Sequence, residues 1–233
     1  KKILYTIFLT IATIATTSCE DFLNIIPEGQ AKRDELLLTT EGLEEAMYGV
    51  YAQLRSTTLY GQELHFHTLE IMAHNMHCSG HTTITALGNF EYDNTNVKSL
   101  FEGIWTTMYK NISNVNSVLN SPLIVDAEEF PYTIYKGEAL GLRAFMHFDL
   151  VRLFAEQYTQ NPSAAGLPYA TEFSLNTPDF ESLQDNYKHI LADLHEAERL
   201  LADEEEHEGE GNFMLDRQIH FNKHAVKATL ARV

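Results

Sequence analysis

Six residues in one short stretch, His65, His67, His74, His77, Cys78 and His81, are of the types that bind zinc or copper. On a helix His74, Cys78 and His81 would share a face with His77 beside them, but the stretch has no HExxH or CxxC arrangement, and Phe66, Leu69 and Ile71 interleave as core. The expectation is no metal site and no cofactor, with neutral imidazoles divided between surface and interior. A second set, Glu138, Arg143, Asp149 and Arg152, lies on the most apolar segment of the chain, where such charges are expected to form one buried, structural ion network. No Gly-rich phosphate loop or nucleophile motif occurs, and two carboxylates at a glycosidase-like distance are to be expected in any chain this acidic. No catalytic residue is assigned. A third set remains: Phe90 and Tyr92 stand in the polar stretch 79–96 among Asn89, Asp93, Asn94 and Asn96. Two readings are open, an exposed aromatic binding surface with polar partners or a pair of rings tucked back onto neighbouring helices.

The elements that must position these sets are helices. Leu43, Ala46, Met47, Val50, Tyr51 and Leu54 fall three or four apart and predict an amphipathic helix from Thr40, with Glu41, Glu44 and Glu45 facing the positive end of its dipole. Leu64, Phe66, Leu69, Ile71, Met72 and Met76 give a less regular helix over 63–78, and 79–96 reads as an exposed loop. Val97, Ile104, Trp105, Met108, Ile112, Val115 and Leu119 keep helical spacing until Pro122, which places Trp105 in the core. Residues 132–157 are apolar on nearly all sides, the pattern of a central helix. After a Pro-rich loop over 158–178, a fifth helix spans 179–201, the acidic run 203–211 reads as a solvated connector, and a sixth begins at its N-cap Asn222. That helix breaks off in mid-pattern at Val233, which gives the expectation of a fragment of a longer protein. The fold class expected is all-α, a tetratricopeptide-like array of antiparallel helix pairs with long loops.

With 44% hydrophobic and 11% aromatic residues, the 233-residue chain can bury a core, and wholesale disorder is excluded. Its 33 acidic against 16 basic residues give a formal charge of −17, which argues against nucleic acid as a partner. Lys1 and Lys2 precede an uncharged apolar run, too short to span a bilayer, that ends in Thr16, Thr17, Ser18 and Cys19. This resembles a bacterial lipoprotein signal over 1–18, with Cys19 as the lipidated first residue and 19–39 as the lipidated N-terminus and tether. Buried acyl methylenes contribute about 0.8 kcal/mol each, so a lipid anchor needs no basic patch. Cys78 then has no partner and is expected as a buried thiol.

Several segments resemble, in order, the SusD/RagB family of outer-membrane lipoproteins. SCEDFLNIIPEG at 18–29 resembles the family's lipidated start and LFEGIWTTMYKNISNVNSVL at 100–119 its Trp-and-Tyr helix. GEALGLRAFMHFDLVRLFAEQY at 137–158 is the strongest match, followed by GLPYAT at 166–171, YKHILADLHEAERLL at 187–201 and AVKATLARV at 225–233. Where the family usually has an acidic residue before Asn75, this chain has His74. Since family members are longer, 40–233 is expected as a SusD-like helical domain truncated at its C-terminal end.

The resemblance implies a glycan-binding lipoprotein on the cell exterior, anchored in the outer membrane. It would deliver oligo- or polysaccharide to a SusC-type TonB-dependent transporter and have no enzymatic activity. A peptide-capturing relative of the same family and a secreted hydrolase are the alternatives. Sugars present apolar C–H faces and many hydroxyls, so Phe90 and Tyr92 become candidate platforms, and Asn89, Asp93, Asn94 and Asn96 their polar partners.

Overall fold

The computed structural model describes residues 33–76, 80–174, 176 and 178–233. The signal-like segment, Cys19, the tether through residue 32, His77 and Cys78 lie outside the described residues. The chain divides into two compact units, Lys1–Leu36 and Leu37–Val233. Within the first, the described residues form one helical turn, Arg33–Leu36.

The second unit is all-α, and its described residues contain no strand. Its helices are α1 (Thr40–Leu54), α2 (Thr68–Met72), α3 (Thr82–Gly88), α4 (Thr95–Leu119), α5 (Tyr132–Phe154), α6 (Leu183–Leu200) and α7 (Lys223–Leu230). Four of them start at a side-chain cap: Thr39, Asn94, Ser182 and Asn222 each accept a hydrogen bond from a backbone N–H of the first turn. Each cap satisfies a donor that the helix itself leaves orphaned. The expected helix at Asn222 therefore starts where the sequence places it.

α5 is the axis of the unit. It is buried on nearly every side, as a helix with apolar residues all round must be. Asn116 meets Arg143, Asn111 meets Met146, and Phe101 meets Phe154, so α4 runs antiparallel to α5. On the other side Arg143 meets Asp193 and Phe148 meets Tyr187, which makes α6 antiparallel as well. One glycine admits the end of α6 and another the segment that returns after it. A Cβ at Gly137 would lie 2.7 Å from Leu201 Cγ, and one at Gly141 would lie 2.6 Å from Phe221. An alanine at either would force the next layer outward.

Three expectations are corrected. The stretch 79–96 is not one exposed loop: α3 buries Ala86 and Leu87 with Ile71 and Val97 in a small cluster of its own, and Asn94 and Asn96 belong to the start of α4. With seven residues, α3 is too short to show a helical period. The helix expected over 63–78 is a π-helical turn, Glu63–His67, that passes into α2 and ends at Met72, with His74 already left-handed at φ 58°. The acidic run is not wholly solvated. Glu204 is 3% exposed because Arg217, from a later turn, closes over it.

Candidate functional site

The charges on α5 form three separate centres rather than one network. Glu138 pairs with Arg217, accepts a 2.6 Å hydrogen bond from Tyr51 and lies 3.3 Å from His220 Nδ1. Asp149 accepts from Tyr60 at 2.9 Å and pairs with Arg152 and Arg232 at the rim. Arg143 turns the other way and grips Asp193 of α6 through Nε at 2.7 Å and a terminal nitrogen at 2.8 Å. Burial would lower the Arg143 pKa, but the hydrogen bonds and charge of Asp193 outweigh it and raise the pKa.

That third centre supports a strap of irregular chain, residues 166–172, which crosses α4 and α5. Asn186 of α6 holds its start, accepting from Leu167 N at 2.6 Å and donating to Leu167 O at 2.9 Å. Tyr109 donates to Pro168 O at 2.9 Å and Asn116 to Ala170 O at 2.9 Å, while Tyr169 donates to Asp193 at 2.6 Å. Ala170 N donates to His147 Nε2 at 3.2 Å, which requires a bare Nε2, and His147 Nδ1 in turn donates to Arg143 O at 2.9 Å. Burial pushes the His147 pKa down to about 3, so the ring is neutral and this tautomer persists at ordinary pH. Every strap residue from Leu167 to Ala170 has backbone or side chain tied to a helix, which makes the strap a preformed wall.

Two clefts flank Trp105. The strap cleft, of about 520 Å³, lies between the strap and α4 and is lined by Trp105, Tyr109, Ser113, Tyr169, Thr171 and Glu172 among others. The outer cleft, of about 490 Å³, is lined by Tyr92, Lys98, Phe101, Glu102, Trp105 and Phe154 among others. Each is of a size that takes one small ligand. Aromatic rings connect them: Tyr92 to Phe101 at 5.6 Å between centroids, Phe101 to Phe154 at 6.0 Å, Phe154 to Trp105 at 5.0 Å and Trp105 to Tyr109 at 4.8 Å. Most of these pairs meet edge to face, as the ring quadrupole favours.

Trp105 is therefore half-buried between clefts instead of enclosed in the core. It follows the fully buried Ile104, and one residue around a helix is enough to leave the apolar stripe for its edge. Phe90 and Tyr92 are exposed, at 47% and 51%. Tyr92 forms one end of the outer cleft, whereas Phe90, left-handed at φ 59°, stacks on His74. The polar residues around them are spread among several tasks. Asn94 caps α4, Asn96 donates to Thr83 at 3.1 Å, Asn89 donates to Glu91 at 3.0 Å, and Asp93 is exposed beside Tyr92.

The histidines are dispersed. His67 lies 2.7 Å from Glu63, His74 meets Gly88 O at 2.8 Å, and His65 packs on Phe66. Among the described residues no three His, Cys, Asp or Glu side chains are placed to hold a metal ion.

Sequence reasoning missed the strap cleft. The available signal was polar residues in apolar stripes: Asn116 between Ile112 and Leu119, and His147 between Met146 and Phe148 of α5, both buried and so in need of partners.

Residues 21–233 match the model of a family described as SusD-like, starch-binding and associating with the outer membrane. The chain belongs to that family. It is 22% identical over 211 residues to the SusD-like protein P2 of Formosa agariphila, which covers 85% of this chain and 38% of that protein. A solved SusD superfamily protein of Bacteroides thetaiotaomicron superposes with a TM-score of 0.59 at 18% identity, over 87% of this chain and 42% of that one. A Bacteroides vulgatus structure described as a candidate sugar-binding protein gives 0.58 at 22% identity, over 82% and 41%. The chain thus spans less than half the length of these relatives. Both superpositions agree with the all-α fold. No helix among the described residues is long and apolar enough to cross a membrane.

Proposed function

We propose that this chain belongs to a glycan-capturing lipoprotein of the outer membrane, one that faces the cell exterior and passes its ligand to a SusC-type TonB-dependent transporter without chemistry of its own. The observation that carries the reading is the aromatic ladder from Tyr92 to Trp105, open to solvent along the outer cleft, in a member of a family described as starch-binding. Rings of this kind cover the apolar faces of pyranoses, and Lys98, Glu102 and Thr106 at the rim offer donors and acceptors to hydroxyls. Tyr92 is the outermost platform, with Phe90, Asn89 and Asp93 beside it. Asn94 and Asn96 fix the turn and helix start that carry Tyr92.

Anchoring rests on Cys19, the proposed acylation site after the signal 1–18, with 19–39 as tether to the SusD-like domain 40–233. Glu20 and Asp21 resemble surface-export signals. A Cys19→Ala variant should lose acyl labelling and leave the membrane fraction, and unchanged partitioning would refute the anchor. For the glycan, the test is affinity electrophoresis in gels cast with a panel of polysaccharides. One of them should retard the chain, a Tyr92→Ala variant should be retarded less at unchanged helical circular dichroism, and no reducing ends should appear on long incubation. Retardation by none, or hydrolysis by pure protein, would reject the reading.

A further inference from the structure

A third cavity, of about 670 Å³, shares no lining residue with the two clefts at Trp105. The second half of α1, Leu142 and Phe145 of α5 and residues 219–221 line it. Its walls are aromatic: Tyr60 meets Phe145 at 5.3 Å between centroids, Phe145 meets Phe221 at 5.6 Å, and Tyr51 meets His220 at 5.3 Å. Ile219 adds apolar surface at 75% exposure. Two polar groups border this apolar space without a partner among the described residues. His220, its side chain 6% exposed, has Nδ1 at 3.3 Å from Glu138 and 3.4 Å from Arg217, which leaves Nε2 at the opposite edge of the ring unpaired. Arg55, farther along, is the exposed residue that closes α1. Among the described residues of the second unit, Arg143, Arg152, Arg199, Arg217 and Arg232 each pair with a carboxylate, and Arg55 alone does not. In a chain with 33 acidic residues against 16 basic, such an arginine is the exception.

We infer that this cavity binds a small aromatic carboxylate that carries a hydroxyl at its far end, a ligand class separate from glycans and independent of the glycan reading. The volume suits one small ligand, and the rings of the wall offer edge and face contacts to an apolar body. Charge sets the direction of entry. Glu138 and Glu204 share one guanidinium, Arg217, so the His220 end is negative and repels an anionic head, whereas the planar fork of Arg55 matches a carboxylate. A hydroxyl suits His220 whichever ring nitrogen carries the proton, because it donates to a bare Nε2 and accepts from a protonated one. Spacing agrees. Tyr51 and Tyr48, the two rings of α1 against His220, precede Arg55 by about 6 Å and roughly 10 Å along the helix axis. A para-hydroxyphenyl ring with a short carboxylate arm spans that interval.

The test is titration calorimetry of the protein with para-hydroxyphenylpropionate, with phenylpropionate, which lacks the hydroxyl, and with para-hydroxyphenylethanol, which lacks the carboxylate. The first should bind saturably at one site. Losing the carboxylate should weaken binding about tenfold and losing the hydroxyl about fivefold, as expected for single hydrogen bonds of which the charged one is the stronger. Arg55→Gln should bring the hydroxylated acid down to the affinity of the alcohol and leave the alcohol unaffected, a split that a general loosening of the fold would not produce. Ala52→Trp, which fills the cavity from an exposed position on its wall, should abolish binding of all three. Should Ala52→Trp alter the helical circular dichroism, Arg55→Gln decides alone. Saturable binding of none of the probes, equal affinity for the acid and the alcohol, an Arg55→Gln protein that binds the acid like wild type, or a folded Ala52→Trp protein that still binds it would each overturn the site.

Discussion

At Arg143 one guanidinium meets one carboxylate, Asp193, and the pair spends its remaining hydrogen bonds on Asn116 and Tyr169, the side chains that steady the strap. Less than two turns earlier on the same helix, Glu138 and Glu204 share one guanidinium, Arg217, and the cluster fixes the return segment 204–222. Lys223 N and the Tyr51 hydroxyl complete that clamp by donating to Glu204 at 2.8 Å and to Glu138 at 2.6 Å. The balanced pair builds a wall of the strap cleft, which shares Trp105 with the proposed binding site; the acid-rich clamp closes the fold. Charge balance inside α5 thus separates a region whose loss should be felt in binding from one whose loss should be felt in stability.

The largest effect is expected at the clamp. Arg217→Ala removes the guanidinium that two buried carboxylates share and should cost about 3–5 kcal/mol in urea denaturation. Against a total stability of roughly 5–15 kcal/mol, that leaves a marginal fold. Adding Glu138→Gln should recover part of the loss, since it removes one buried charge that has lost its guanidinium. A cost below about 1 kcal/mol, the range of exposed ion pairs, would erase the distinction between the two regions.

On the strap side, acid is the probe. His147 binds a proton when unfolded near pH 6.5 but in the native state only near pH 3. The unfolded state therefore takes up more protons between these values, and stability falls as pH is lowered through them, by at most about 1.4 kcal/mol per pH unit. His147→Gln should fall less steeply between pH 6.5 and 4.5, with the carboxylates common to both proteins cancelling in the difference. Parallel curves would show that His147 is not held neutral.

Smaller effects sharpen the same contrast. Asn116→Ala removes the donor to Ala170 O and the acceptor for Arg143, and should cost about 1–3 kcal/mol. Its cost in glycan affinity should exceed that of any clamp variant that still folds. Tyr109→Phe loses only the hydrogen bond to Pro168 O and should cost about 0.5–1.5 kcal/mol by thermal melting.

Much of the scaffold was legible in the sequence, because helices as long as α4, α5 and α6 repeat their apolar spacing over several turns and caps such as Asn222 mark their starts. Of the proposed site, only one end is named by the sequence pattern: Tyr92, which is exposed. Periodicity locates a stripe but not its margin, so Trp105, one residue from Ile104, was assigned to the core. Nor does it pair charges. Arg143 finds Asp193 fifty residues away and Glu138 finds Arg217 seventy-nine away, distances at which only the packed helices decide the partner.

Trp105 offers the most direct measurement, being the only tryptophan in the 233 residues and a wall of both clefts. Titrating the chain with the polysaccharide that retards it in affinity gels, while following tryptophan emission, reads occupancy at the proposed site itself. The account predicts a saturable change in emission with the same midpoint as binding, weakened by Tyr92→Ala. Binding that leaves the emission of Trp105 unchanged would place the glycan elsewhere on the molecule and contradict it.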